Sequence, residues 1–240
     1  MANRIRLDKY LSNSGYGSRK EIKKLLKNGS TKVDGQVVKD SSFKVEPGIN
    51  TVMIDGNIIE YRKHVYIMMN KPAGVISATY DSREETVIDI LEEYYKKFDL
   101  FPVGRLDKDT EGLLLLTNDG KLAHNLLSPK KHVDKTYYAK VDGEITLEDC
   151  VKFKDGVIID NDYKTLPANL EIIKAGTISK VHITIREGKF HQIKKMIKAV
   201  GKKVIYLKRI SMGNLKLDND LEIGEYRELT GDEHSSLVNR

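Results

Sequence analysis

The clearest hydrophobic pattern in the chain is a run of four leucines, Leu113 to Leu116, within the segment GRLDKDTEGLLLLTNDG at positions 104–120. A short, continuous apolar run of this kind is typical of a β-strand that is buried on both faces. The polar residues before it predict a charged loop, and Asn118-Asp119-Gly120 after it predicts a turn. The segment therefore places Arg105 and Asp107 in a loop at the rim of a central strand. Ordinary turn chemistry would use the same residues, so the pattern alone leaves a structural role open.

The first quarter of the chain has the periodicity of two short helices followed by a hairpin. Ser18 and Glu21 form the pattern of a capping box at the start of the second helix. Asn28-Gly29 predicts the end of that helix, and Asp34-Gly35 predicts the turn of a hairpin in TKVDGQVV. We expect residues 1–60 to form a small domain of two helices and a hairpin.

The rest of the chain alternates short strand-like runs with helices at irregular intervals. Residues 55–64 have the composition of a linker, and strand-like runs follow from position 65 onward. Helical spacing is present from Thr86 to Tyr95 and again from Gly231. This irregular mixture argues against a regular βαβ series. We therefore predict an α+β fold in which residues 64–240 form a second domain with a mixed, mainly antiparallel sheet.

One predicted helix carries a lysine on or beside its apolar stripe. Phe190, Ile193 and Ile197 recur at helical spacing, which predicts a buried face, and Lys194 lies between them. A lysine that points inward needs a carboxylate partner, because an unpaired buried charge is costly. In the alternative, the stem of the side chain packs in the core while its ammonium group stays in water. The periodicity leaves both arrangements open.

The excess positive charge of the chain lies in its N-terminal part. The 240 residues carry a net charge of +6, and residues 1–44 hold eleven Lys and Arg against four Asp and Glu. The remaining residues hold thirty against thirty-one. Such an asymmetry indicates that the first domain meets a polyanion. A solvated basic face is the simpler interpretation of the same composition.

Several other classes of protein are excluded by composition. The single cysteine, Cys150, rules out an internal disulfide bond, and His124, His132 and His191 lack metal-ligand spacing, so we predict no metal. There is neither a glycine-rich phosphate loop nor a dinucleotide fingerprint. The N-terminus lacks a signal-peptide pattern, and no apolar run is long enough to cross a bilayer. We therefore expect a cytoplasmic protein without membrane contact.

Segments of the second domain resemble motifs of the RsuA family of pseudouridine synthases. GRLDKDTEGLLLLTNDG resembles the family's signature, which implies that Asp107 is the catalytic residue. DKTYYAKV resembles the motif whose tyrosine lies beside the target base, which implies that role for Tyr137. An aromatic face suits a base that has left its stack.

Two further segments continue this resemblance. EGKFHQIKKM resembles the motif whose cationic residue pairs with the catalytic aspartate, which implies that role for Lys194. Many members have arginine there, so a point charge replaces the fork of a guanidinium. The segment from Asn70 to Gly74 resembles another motif, which we interpret as a structural loop because its proline and glycine fix the path of the chain.

The first domain resembles the RNA-binding domain named after ribosomal protein S-four. The matching segments are RLDKYL, SRKEIKKLLKNG and KVDGQVV. The resemblance implies that a set of basic and polar side chains faces RNA phosphates, which Lys and Arg bind without reading sequence. This set consists of Arg4, Arg6, Lys9, Ser18, Arg19, Lys20, Lys23 and Lys24. In the second domain, Arg105 is expected to hold the RNA backbone.

The resemblance covers nearly the whole chain and implies a two-domain rRNA pseudouridine synthase. Isomerisation of uridine breaks the C1′–N1 bond and rejoins the base through C5 without a redox change, so no cofactor is expected. An ionised carboxylate beside the sugar serves as a nucleophile or as a base at the ribose, and both roles stay open. The rival interpretation is a non-catalytic RNA-binding protein of ribosome assembly that keeps the fold.

The segment LLSPKKHVDKTY resembles the small-subunit branch of the family more than the large-subunit branch. Its basic residues, Lys130, Lys131 and His132, are expected beside the site. We therefore expect a monomer that modifies one uridine of 16S rRNA, best in a partly assembled small-subunit particle. The alternative substrate is 23S rRNA.

Overall fold

The computed structural model describes residues 4–128, 131–160 and 162–238. They form two compact units. The first unit holds residues 4–65 together with 91–100, and the second holds 66–90 and the residues from 101 onward. The hydrophobic pattern gave no sign that residues 91–100 group with the N-terminal unit. None of the described helices combines the length and the hydropathy that a membrane-spanning helix needs.

The first unit consists of short strands packed with three helices. Its elements are β1 (Ile5–Arg6), α1 (Leu7–Asn13), α2 (Arg19–Lys27), β2 (Thr31–Val33), β3 (Gln36–Val37), β4 (Lys44–Val45), β5 (Val52–Ile54), β6 (Asn57–Ile58) and α3 (Glu93–Lys96). Strands β2 and β3 form the predicted hairpin within a sheet of order β3-β2-β5-β6, and β1 pairs with β4. The predicted capping box begins α2, because the Glu21 amide donates to Ser18 Oγ and the Ser18 amide donates to the Glu21 carboxylate.

Residues 55–64 are not the linker that their composition indicated. Strand β6 pairs with β5, and Ile59, which follows it, is buried in the core of the unit. The Tyr10 hydroxyl donates a hydrogen bond to the Ile59 carbonyl at 3.0 Å. The linker prediction was wrong because a strand of two residues is too short to show the alternation that identifies strands in a sequence.

The second unit is built on a mixed sheet of nine strands. The strands of the unit are β7 (Tyr66–Lys71), β8 (Phe101–Pro102), β9 (Glu111–Thr117), β10 (Lys135–Asp142), β11 (Ile158–Ile159), β12 (Tyr163–Lys164), β13 (Asn169–Lys174), β14 (Ile178–Ile185), β15 (Lys203–Met212), β16 (Leu215–Lys216) and β17 (Tyr226–Glu228). The main path is β13-β14-β10-β15-β9-β7-β17, β8 and β16 pair at its side, and β11 pairs apart with β12. Among the pairings between these described strands, only β15 with β9 is parallel. The predicted α+β fold with a mixed, mainly antiparallel sheet is confirmed.

Three helices of the second unit lie in connections between strands, and a fourth follows the last strand. They are α4 (Gly120–Leu127), α5 (Leu147–Asp155), α6 (Gln192–Ala199) and α7 (Gly231–Val238). The predicted turn before Gly120 also starts α4, because the Asp119 carboxylate accepts from the amides of Lys121 and Leu122. Such a side-chain cap satisfies amides that have no partner within the helix.

The helix predicted from Thr86 to Tyr95 does not form. Within this stretch only the residues from Glu93 onward are helical, and they belong to α3 (Glu93–Lys96). The Asp89 carboxylate accepts hydrogen bonds from the Thr86 amide and from Thr86 Oγ1, both at 2.8 Å. Side chains of Asp and Thr that bond to the nearby backbone favour turns over helices, and apolar spacing alone does not reveal this competition.

The leucine run lies in the interior of the sheet, as predicted. Leu113 to Leu116 are fully buried, with β7 on one side of their strand and β15 on the other. The close approach of β9 to β15 depends on Gly112, which has a φ of +99°. A Cβ atom at this position would lie 2.2 Å from the carbonyl oxygen of Arg209. Backbone conformation and available space therefore both require glycine at position 112.

We expect Gly112→Ala to lower the free energy of unfolding by about 2–4 kcal/mol, because β9 and β15 must separate and alanine disfavours the left-handed conformation. Urea unfolding followed by circular dichroism measures the effect. Gly120→Ala is the matched control, since Gly120 begins α4 and a Cβ there has no heavy atom within 4 Å. It should keep the stability of the parent or raise it slightly. Equal stabilities of the two variants would contradict the proposed constraint.

Candidate active site

Asp107 lies on the loop that joins β8 to β9, and backbone hydrogen bonds fix the path of this loop. Ser77 Oγ accepts a hydrogen bond from the Leu106 amide and donates one to the Leu106 carbonyl, both at 3.0 Å. The Gly74 amide donates to the Lys108 carbonyl at 2.7 Å. The Thr110 amide donates back to the Asp107 carbonyl at 3.0 Å. The loop is therefore held on both sides of the aspartate.

A buried lysine, Lys71, holds the same loop through hydrogen bonds to backbone carbonyls. The Lys71 side chain has no exposure to solvent, and its Nζ donates to the carbonyls of Thr110 at 3.0 Å, Lys108 at 3.4 Å and its neighbour Pro72 at 2.8 Å. Burial lowers the pKa of Lys71 to about 8. Its motif, Asn70 to Gly74, was interpreted as a structural loop, and the lysine is the residue that ties this segment to the Asp107 loop.

Lys194 lies between two carboxylates. Its Nζ donates to Asp107 Oδ2 at 2.9 Å and to Asp109 Oδ1 at 2.6 Å. The Lys194 side chain is 25% exposed and that of Asp107 is 26% exposed. The inward lysine with a carboxylate partner is thus the arrangement present. Lysine suits it, because a single ammonium group can donate in two directions, whereas a guanidinium presents a planar fork.

Lys194 and Asp109 shift each other's pKa. Burial tends to lower the pKa of Lys194, but hydrogen bonds from its ammonium group to Asp109 and Asp107 outweigh this, so its pKa is raised. Burial tends to raise the pKa of Asp109, but the hydrogen bond from Lys194 and its positive charge leave that pKa lowered. The cluster therefore keeps its lysine protonated and Asp109 ionised over a wide pH range.

His191 approaches Asp107 from another side, and its backbone corrects one helix prediction. His191 Nε2 lies 3.7 Å from Asp107 Oδ1, a distance at which a protonated imidazole forms an ion pair. The residue has a φ of +53°, so α6 cannot extend back through it and begins at Gln192. The prediction that Phe190 lies on the buried face of this helix was wrong. Phe190 is 69% exposed, and its ring stacks on that of His191 at 3.7 Å.

Tyr137 and Arg105 line the cavity that contains Asp107. Tyr137 lies on β10, is 7% exposed, and shares a small cavity of about 70 Å³ with Asp107 and Lys194. A wider cleft of about 800 Å³ continues from Asp107 past Phe190. Arg105 is exposed, lines both spaces, and has no hydrogen bond or ion pair with any other part of the chain that the structure describes. The second unit thus brings Arg105, Asp107, Tyr137 and Lys194 together.

The residues expected to face RNA phosphates all lie in the first unit. Arg4 forms an ion pair with Glu46 at 3.7 Å, and Arg6 donates to Asp8 from both Nε and Nη2. Ser18 serves as the N-cap of α2. The remaining members are exposed and form no ion pair among the described residues; they are Lys9, Arg19, Lys20, Lys23 and Lys24. Of the three basic residues expected beside the site, His132 lines a neighbouring cavity, Lys131 is exposed, and Lys130 lies outside the described residues.

The sequence did not predict the part in the site of three residues, which are Asp109, His191 and Lys71. Asp109 follows Asp107 by two positions, and this spacing was the available signal for a second carboxylate in the loop. His191 was considered only as a metal ligand, and its approach to Asp107 results from a positive φ that the sequence does not indicate. Lys71 is the last residue of β7, and a charged residue at a strand end gives no sign of burial. Among the described residues no group of His, Cys, Asp and Glu has the arrangement of a metal site.

Comparison with protein families supports the enzyme class. The family model described as RNA pseudouridylate synthase matches residues 65–199, and the S4 domain model matches residues 5–48. The chain therefore belongs to the RNA pseudouridylate synthase family, and the predicted enzyme, an isomerase, is confirmed.

Relatives align along nearly the whole chain. An uncharacterized RNA pseudouridine synthase of Bacillus subtilis (strain 168), YtzG, is 54% identical over 230 residues, which cover 95% of this chain and 96% of that protein. The ribosomal small subunit pseudouridine synthase A of Escherichia coli (strain K12) is 38% identical over 98% of this chain and 100% of that protein. A crystal structure of a pseudouridylate synthase, 32% identical, covers 98% of this chain and 100% of its own, with a TM-score of 0.68.

We expect Lys194→Met to reduce the rate of pseudouridine formation about tenfold to a hundredfold, because two neighbouring carboxylates lose the cation between them. The pKa of Asp109, which Lys194 lowers, should rise. A raised pKa brings the protonation of Asp109 closer to the pH range of the assay and changes the charge beside Asp107, so the loss should depend on pH. Lys194→Arg keeps the charge and should retain more activity across the pH range. Rates measured from about pH 5.5 to 8.5 test this, and equal losses in both variants at every pH would contradict it.

Proposed function

We propose that the chain isomerises one uridine of 16S rRNA to pseudouridine, with Asp107 as the catalytic residue. The observation that carries this proposal is the position of the Asp107 carboxylate, which lies on a tethered loop, paired with Lys194, in a cavity that it shares with Tyr137. In this proposal Lys194 keeps the carboxylate oriented, and Tyr137 packs its ring against the uracil. The first unit holds the RNA through its phosphates, and Arg105 holds the backbone next to the target.

The chemistry divides among these groups as follows. The C1′–N1 bond breaks, the uracil turns, and a C1′–C5 bond forms; N1 gains a proton and C5 loses one. The ionised carboxylate of Asp107 acts at the ribose, as a nucleophile on C1′ or as a base. The role of Tyr137 is to pack against the base and to assist the proton transfer. Because the uridine must leave its stack to enter the cavity, binding energy from the rest of the RNA has to offset the unstacking cost of a few kcal/mol.

The choice of 16S rRNA is supported by the relatives. Proteins from Yersinia pestis and Escherichia coli that are 39% and 38% identical carry the name ribosomal small subunit pseudouridine synthase A, and their alignments cover 97% and 98% of this chain. The resemblance of LLSPKKHVDKTY to the small-subunit branch points the same way. We further propose that residues 1–60 and 64–240 are the two functional domains, and that a partly assembled small-subunit particle is a better substrate than bare rRNA.

Mapping of pseudouridines in a strain that lacks this chain tests the proposal. One pseudouridine should disappear from 16S rRNA and return when the parent chain is supplied. Asp107→Asn should fail to restore it, because the amide cannot act as a nucleophile or a base, yet the variant should bind RNA within about twofold of the parent. Asp142→Asn, at an exposed position of β10, is the matched control and should restore it fully.

Three outcomes separate the parts of this proposal. Loss of a pseudouridine from 23S rRNA with 16S rRNA unchanged would overturn the substrate and leave the enzyme class intact. Restoration by Asp107→Asn would overturn the catalytic assignment. Faster modification of bare 16S transcript than of assembly particles would overturn the preferred substrate form.

The phosphate contacts proposed for the first unit predict a change in salt dependence. The triple variant Lys20→Gln/Lys23→Gln/Lys24→Gln should reduce the slope of log affinity against log salt by about 2–3, because each lost phosphate contact removes roughly 0.7–0.9. Substitution is preferred to truncation, because residues 91–100 group with the first unit and would lose their packing. The control is Lys154→Gln/Lys174→Gln/Lys180→Gln, at exposed positions of the second unit. If both triple variants change the slope equally, the first unit is not the phosphate anchor.

A further inference from the structure

A second cavity lies beside the one that contains Asp107. Its volume is about 380 Å³, which falls within the usual range of ligand sites, roughly 300–1,000 Å³. Arg105, Tyr137 and Lys189 line both cavities, so the two spaces adjoin. We call this second space the basic cavity, because five of the residues that line it are cationic and one is acidic; these are Arg105, Lys135, Arg186, Lys189, Arg209 and Glu187.

The acidic residue that lines the basic cavity, Glu187, accepts hydrogen bonds from other groups of the protein. The Glu187 carboxylate accepts from the Tyr163 hydroxyl at 2.7 Å, from the Leu166 amide at 3.0 Å and from Gln192 Nε2 at 2.8 Å. These donors fix the carboxylate in the wall. A second acid, Asp134, accepts from Arg186 Nε at 2.8 Å. Positive charge therefore remains in excess over negative charge around this space.

Arg209 is the most enclosed cation of the basic cavity. It is 1% exposed, and its Nε donates to the Leu113 carbonyl at 2.7 Å, which fixes the guanidinium against β9. Its Nη2 is buried and has no hydrogen-bond partner among the described residues. A buried donor without an acceptor costs free energy, and an enclosed cation without an anion costs more. An anionic ligand in this cavity would place negative charge beside the enclosed guanidinium and would offset the cost of the unpaired cation.

We infer that the basic cavity is a binding site for a phosphodiester group of the RNA strand, next to the target uridine. The inference rests on the proposed function. A strand whose uridine occupies the Asp107 cavity carries a phosphate on either side of that nucleotide, and one of the two lies within reach of the adjoining space. Arginine and lysine are the residues that hold RNA phosphates, and such contacts fix the register of the strand without reading its bases. The basic cavity thus sets which nucleotide of the strand faces Asp107.

The test removes one phosphate charge at a time from the substrate. A short RNA centred on the uridine found by mapping is made with a single neutral methylphosphonate, 5′ or 3′ of that uridine. One of the two replacements should reduce kcat/KM of the parent about tenfold or more, as expected for loss of a hydrogen bond between charged groups. In Arg186→Gln/Lys189→Gln the same replacement should change kcat/KM by less than about twofold. Lys174→Gln/Lys180→Gln, with the same change of charge away from the cavity, should respond as the parent does.

The coupling between phosphate and protein decides the outcome. If both replacements cost the same in the parent and in Arg186→Gln/Lys189→Gln, the cavity does not hold a flanking phosphate and the inference is wrong. The inference is equally wrong if kcat/KM falls from the parent to the variant by the same factor with the natural RNA and with the RNA that carries the methylphosphonate.

A binding measurement separates failure of this inference from failure of the proposed function. Uridine 3′,5′-bisphosphate is titrated into the full chain while the Nε–H signal of Arg209 is followed by nuclear magnetic resonance. The signal should shift in a saturable manner with the bisphosphate, more weakly with inorganic phosphate, and not with uridine. If no rRNA is modified but this result holds, the substrate proposal fails and the phosphate site stands. An unmoved Arg209 signal, or tighter binding of inorganic phosphate than of the bisphosphate, would overturn the inference.

Discussion

The contact between Gly112 and Arg209 is the constraint on which the site depends. At this point β9 meets β15 in the parallel pairing of the sheet, and no side chain fits between them. The Asp107 loop leads directly into Gly112, so its position is fixed where the two strands meet. The Arg209 side chain, on β15, donates a hydrogen bond to the Leu113 carbonyl of β9 and lines the basic cavity. One close approach of backbones therefore positions the carboxylate loop and the neighbouring cationic wall together.

Local signals in the sequence predicted the elements that depend on local chemistry. The leucine run, the capping box at Ser18, the hairpin at Asp34-Gly35 and the start of α7 are decided by residues within a few positions of one another. The failures have the opposite character. The helix expected from Thr86 was displaced by hydrogen bonds from Thr86 to the Asp89 carboxylate, and Phe190 became exposed because His191 adopts a left-handed conformation. Apolar periodicity carries no information on either event, because both involve polar groups and backbone angles.

The site was predictable only in part, because its members are distant in sequence. Resemblance to known motifs brought Asp107, Tyr137 and Lys194 together, and helical spacing alone left the direction of Lys194 open. Asp109 changes how the ion pair between Lys194 and Asp107 is understood. The ammonium group of Lys194 donates hydrogen bonds to both carboxylates, so Lys194 is not a partner of Asp107 alone. An arginine here would offer more donors in a fixed plane, whereas the ammonium group of Lys194 directs two donors from one atom to Asp107 and Asp109. The departure from the family's usual arginine thus agrees with the geometry of this loop.

The charge summed over the larger part of the chain and the charge around a single cavity lead to different conclusions. Beyond residue 44, thirty basic residues face thirty-one acidic ones, so composition describes the larger part of the chain as neutral. Within it, five cations line a single cavity beside Asp107, while Glu187 is fixed in the wall by its hydrogen bonds. A count of charged residues over this part of the chain does not reveal such a site, because acidic residues outside the cavity balance its cations. For a polyanionic strand, the local arrangement decides which phosphate is held, and it does so within a stretch of chain, residues 45–240, whose overall charge is close to zero.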